Sequence, residues 1–239
     1  MDKFILKKDF EDSILSFASK NESPVFKIEN AILFSSCDSK NKTSSANHFT
    51  IENLYQYTDI ALFIRSFSSE KTLENTFKEV SIKNIKFNTL PALGEPNLYF
   101  KSINQFAKSE FIEDNLIQDS IDFAISSEDS TNLDTPILYN NLANPITLTF
   151  INSNIKSDYT ITDTSIPITY DGSLLKRCGV PLSNINSTIS FDIYITNNLE
   201  QKFKSYVYLD IPLENDLNSI LNGSITERKT INTAFYRYE

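Results

Sequence analysis

Apolar and polar residues alternate with a period of two through most of this chain, the pattern of strands that bury one face and wet the other. The exception comes first. Asp9 to Lys20 places Phe10, Ile14 and Phe17 four and three residues apart, with Glu11 and Asp12 in the first turn and a lysine at the end, which predicts a short amphipathic helix. After Pro24 the period changes: Phe26, Ile28, Ile32 and Phe34 alternate with Lys27, Glu29 and Ala31 as a half-buried strand. Ile60, Leu62 and Ile64 interleave with Ala61 and Phe63, so this strand is apolar on both faces and belongs in the centre of a sheet. Val80, Ile82, Ile85 and Phe87 lose their phase at Lys83-Asn84, where a bulge or bend is expected. Ile121, Phe123 and Ile125, and then Ile146, Leu148 and Phe150, each give one core-facing stripe.

The strongest local signal lies near the C-terminus. Ile189, Phe191, Ile193 and Ile195 form one stripe and Phe203, Ser205, Val207, Leu209 and Ile211 another, separated by a polar loop, which predicts an antiparallel hairpin. Asn222-Gly223 and Asp171-Gly172, the latter after Ile166, Ile168 and Tyr170, suit tight turns with positive φ. Glu70 to Lys78 and Ser102 to Glu110 carry weak helical spacing and are expected as connectors, because the rhythm of strand, helix and strand is missing. The aromatic tail from Thr233 to Glu239 is expected as a final packed strand.

These elements predict an all-β, antiparallel β-sandwich fold with a short N-terminal helix. The turn-rich stretches 129–136 and 140–145 suggest a division into two tandem sandwich domains, 1–135 (with the helix) and 136–239; one large jelly-roll-like sandwich is the alternative. Three weak echoes in the same order would fit a duplication: 60–64 with 146–150, 94–101 with 172–176, and 120–125 with 189–193.

Composition narrows the chemistry. A net charge of −9 across 239 residues argues against binding a phosphate backbone. Glu110, Glu113, Asp114, Asp119, Asp122, Glu128, Asp129 and Asp134 follow one another with no basic residue between them, as a solvated face, a contact for a basic partner, or a weak Ca²⁺ site at 128–134. The N-terminal apolar run is too short for a secretory signal and no stretch is long enough to span a bilayer, so a soluble, cytoplasmic product without membrane insertion is expected. Cys37 and Cys178 read as two free thiols, with a bridge between them left open. The one histidine, His48, sits in a polar stretch and has no nucleophile motif near it in sequence. With 4 glycines there is little material for a phosphate cradle, and neither a cofactor nor a metal site is predicted.

The tyrosines carry the functional expectation. If the two stripes of the hairpin face the core, Tyr194, Tyr206 and Tyr208 stand together on its opposite face, exposed as a contact patch or covered by another part of the chain. The leading expectation is a non-enzymatic structural or assembly protein acting through contacts with other protein subunits in a larger particle, such as that of a phage or virus. A carbohydrate- or surface-binding module is the alternative, and a glycan-active enzyme using a carboxylate pair the third reading.

Overall fold

The structure is a computed structural model and describes residues 7, 10–14, 24–45, 48–68, 70, 72–102, 105–123, 125, 145–156, 159–163, 165–212, 214–215 and 218–238. It is a sandwich of two antiparallel sheets. Sheet one runs in the order β12 (Ile225–Ala234), β1 (Phe26–Ser45), β2 (His48–Ser66), β6 (Ile146–Lys156) and β4 (Glu95–Phe100), with β7 (Tyr159–Ile161) extending it beside β2. Sheet two runs β13 (Tyr236–Arg237), β9 (Lys202–Ile211), β8 (Ser187–Asn197), β3 (Phe77–Thr89) and β5 (Ser120–Phe123). A two-stranded ribbon, β10 (Glu214–Asn215) with β11 (Asn218–Ser219), stands apart.

Both sheets draw strands from each side of residue 135, so the expected division at that point does not separate them. A single apolar cluster fills the space between: Leu54, Ile60, Leu62 and Ile64 of β2 belong to the same core as Ile189, Phe191 and Ile193 of β8 and Val207, Leu209 and Ile211 of β9. This is the arrangement of the single-sandwich alternative. Nor do the sequence echoes repeat in structure, since 94–101 holds β4 whereas the matching stretch holds the short helix Ser173–Arg177.

β2 is central, between β1 and β6, and both of its faces are buried around Ile60 to Leu62. β1 departs from the expected stripe. Its pairing slips between Ile28 and Ala31, and this bulge turns the later residues over: Phe26, Ile28, Ala31 and Leu33 enter the core, while Ile32 is 42% exposed and Phe34 lies on the outer face. The break expected at Lys83-Asn84 is present, with Asn84 at φ 55° and a register shift between Lys83 and Lys86.

The chain's end closes one side. Ala234 pairs with Lys27 in sheet one and Tyr236 with Lys204 in sheet two, so the strand changes sheets at the fully buried Phe235, which packs in an edge-to-face cluster with Phe26. Three local expectations are corrected. Residues 73–75 form a turn and 105–110 contain no α-helix, because Asn75 and Gln105 fold their side chains back onto nearby backbone at Thr72 and Ser102. Gly172 has φ −58°, not a positive φ; the constraint there is space, because a Cβ would stand 1.9 Å from the Ile220 carbonyl oxygen. At the N-terminus residues 10–14 are helical, with Phe10 and Ile14 exposed, while the rest of the helix expected over Asp9 to Lys20, Phe17 included, lies outside the described residues.

Candidate functional site

The hairpin places its tyrosines as the alternation requires. In β9, Phe203, Val207, Leu209 and Ile211 are buried and the intervening Tyr206 and Tyr208 point outward, 54% and 48% exposed. Tyr194 of β8 shares that face but is half-covered. Its ring meets Tyr238 edge-on at 5.6 Å, and its hydroxyl accepts a hydrogen bond from the Asn84 amide at 3.2 Å. Lys204 lies 5.5 Å from the same ring and 3.0 Å from Asp192. Burial disfavours the Lys204 ammonium, but the hydrogen bond and charge of Asp192 outweigh it and hold Lys204 above the usual lysine range.

The backbone of β9 is also asymmetric. One edge pairs with β8 along its whole length, whereas β13 covers only Phe203 and Lys204 on the other. The carbonyls of Lys202 and Tyr206 accept hydrogen bonds from the Tyr238 N–H and the Thr233 hydroxyl, which fixes the even-numbered backbone groups on the edge away from β8. Tyr208 and Asp210 therefore aim their N–H and C=O groups at an edge that no described strand pairs with. β12 runs alongside and contributes only side chains, Thr233 to the Tyr206 carbonyl and Lys229 at 3.9 Å from Asp210.

A second feature lies on the outer face of sheet one. Asp59 of β2 is fully buried there, and Lys101, just past β4 and 2% exposed, places its Nζ 2.8 Å from the Asp59 carboxylate. The Lys101 ammonium also donates to the Lys108 carbonyl at 2.6 Å and sits 5.1 Å from the Tyr57 ring, while the Ala107 N–H donates to Asp59 at 2.8 Å. These bonds, made by Lys101, Ala107 and Lys108, fasten residues 105–117 across the sheet as a strap. Burial raises Asp59 above the usual carboxylate range, and Lys101 opposes that shift. Under the strap, Tyr55, Tyr57 and Ile151 form a small second core; burial pushes Tyr57 up to about 12.

Beside the strap is a cleft of about 640 Å³. It is lined by Tyr99 and Phe111, whose rings stand 5.0 Å apart, and by Asp38, Asn53 and Asn154 among others. The Tyr55 hydroxyl donates to the Ser109 carbonyl at 3.1 Å behind them. Lys40 bridges to Glu113 at 2.7 Å; this contact holds Glu113 below the ordinary glutamate range and Lys40 above that of lysine.

The remaining candidates fall elsewhere. His48 is exposed at the start of β2, paired in register with Ser45. Cys37 and Cys178 are free and buried, and burial raises both thiols, Cys178 to about 11. Glu110, Glu113, Asp114, Asp119 and Asp122 are all exposed, whereas the calcium candidate at 128–134 lies outside the described residues. No group of three or more metal-ligating side chains occurs among the described residues, and no helix among them is long and apolar enough to cross a membrane. The strap and its cleft were missed in the sequence, although Asp59, a lone charge beside the apolar run 60–64, was a signal for them. Compared with known proteins, the chain matches no family model, no curated protein and no solved structure.

Proposed function

We propose that this chain is a non-enzymatic assembly protein that acts through protein contacts, with the outer face and free edge of β9 as the contact. The observation that carries the reading is the coincidence, on one strand, of two exposed tyrosines with backbone groups that no strand among the described residues pairs with. An edge of this kind is a template for another strand, and proteins that do not use such an edge blunt it with prolines, inward charges or a covering loop. Tyrosine supplies large contact area at low conformational cost.

The partner is a second copy of the chain. Antiparallel pairing of two β9 edges about a twofold axis at Tyr208 sets Tyr206 of each copy opposite Asp210 of the other, a self-complementary contact that joins two five-stranded sheets into one. Sedimentation velocity on the intact protein tests this. Wild-type protein should self-associate in proportion to its concentration, and Tyr206→Ser/Tyr208→Ser and Asp210→Pro should each leave monomers. Proline at 210 removes the outward N–H, which the pairing with β8 does not use, together with the exposed carboxylate that stands 3.9 Å from Lys229. A wild-type protein that stays monomeric at every concentration tested contradicts the reading.

A further inference from the structure

We propose that the cleft beside the strap is a binding site for a short, neutral oligosaccharide, a site independent of the β9 contact. Its volume of about 640 Å³ lies in the range of small-ligand clefts. Tyr99 and Phe111 form one wall with their rings tilted by 54°, and both residues are partly open to solvent, so a sugar ring can lay its C–H face against them. The lining also holds the exposed Glu110 carboxylate and the amides of Asn53 and Asn154; the Asn53 oxygen accepts from the Asn154 N–H and the Asn154 NH₂ donates to Glu95 at 2.9 Å, which directs the Asn53 NH₂ and the Asn154 oxygen to a ligand. Such groups match adjacent hydroxyls on a sugar.

The amides are set by backbone geometry. Asn53 and Asn154 both take the left-handed conformation, at φ 48° and 55°, and the Asn154 N–H donates to the Asn53 side chain at 2.8 Å. The strap wall is fixed as well. Burying Asp59 and Lys101 is a poor route to stability, because desolvation offsets most of their attraction. What the pair accomplishes is to hold the strap, and with it Phe111 and Glu110, in one place before any ligand arrives. Lys40 pairs with Glu113 inside the cleft, and Asp38 and Glu110 leave the lining net negative, so it is the Tyr99 and Phe111 rings that favour a sugar, with a cationic peptide as the competing ligand class.

The test is calorimetric titration and saturation-transfer NMR of the intact protein with malto-, cello-, xylo- and chito-oligosaccharides, and with a lysine-rich peptide as the competing class. One of the neutral series should bind. Tyr99→Ala should weaken it by about tenfold or more, and Tyr99→Phe, which keeps the ring, by no more than about threefold. Tyr206→Ser/Tyr208→Ser should leave sugar binding unchanged. Should Tyr99→Ala fail to fold, the exposed Glu110→Gln/Asn154→Ala pair carries the test, with the same loss of about tenfold or more. Binding of the peptide alone, binding of none of these molecules, or a folded variant that binds like wild type overturns the proposal.

Discussion

Replacing Lys101 with methionine keeps most of the stem of the side chain and removes the ammonium around which the strap is fastened. Asp59, fully buried, would then keep the Ala107 N–H but lose its counter-charge, and the Lys108 carbonyl would lose its donor. Breaking a buried pair from one side costs about 3–5 kcal/mol, because the other charge is stranded. At roughly 2–4 °C per kcal/mol for a chain of this size, Tm should fall by about 6–20 °C. The double variant Asp59→Leu/Lys101→Met removes both charges and should return to within about 2 kcal/mol of wild type. Urea melts of wild type, the single variants Lys101→Met and Asp59→Leu, and the double variant give the coupling energy, and hydrogen exchange at the Ala107 amide reports the strap directly. If Lys101→Met melts within about 1 kcal/mol of wild type and Ala107 remains equally protected, the ion pair is not what holds the strap.

Three further outcomes follow from the same geometry. Phe191→Ala should cost about 3–5 kcal/mol in a denaturant melt, since the ring is fully buried between the sheets, and a loss below about 1 kcal/mol would contradict that packing. Gln56 faces the core of sheet one fully buried, and neither its amide nitrogen nor its oxygen bonds to protein, so Gln56→Met should raise stability by about 1–2 kcal/mol; a loss of that size would count against it. Glu113 titrates below the ordinary glutamate range because Lys40 favours its charged form; the small stability linked to this contact is present above the unfolded-state pKa and is lost as pH falls through the lowered one. In an NMR titration Lys40→Met should return Glu113 to the ordinary range, and an unchanged value would refute the pairing.

The sheets were legible because period-two alternation reports burial directly. β2, β3, β6 and the β8–β9 hairpin lie where the stripes put them, and the outward direction of Tyr206 and Tyr208 follows from the inward direction of Val207 and Leu209. The phase of β1 was not legible, since one extra residue in a bulge inverts every later side chain without changing composition. Sheet membership was hidden too. Which strands pair is decided by long-range contacts such as Ile60 with Leu148, and a turn-rich stretch in sequence does not reveal whether the chain returns to the same sheet. The strap was illegible for a similar reason: Lys101 and Asp59 stand 42 residues apart, and nothing local to either marks the other as its partner.

The central claim is that the free edge of β9 is a contact between copies, and sedimentation velocity of the wild-type protein beside Tyr206→Ser/Tyr208→Ser measures it most directly. With copies joined at this edge, the wild-type protein sediments faster as concentration rises, and the double variant stays a monomer while its urea midpoint shifts by an amount worth no more than about 1–2 kcal/mol. Equal sedimentation of the two, or a double variant that unfolds because these tyrosines belong to a covered second core, would contradict it.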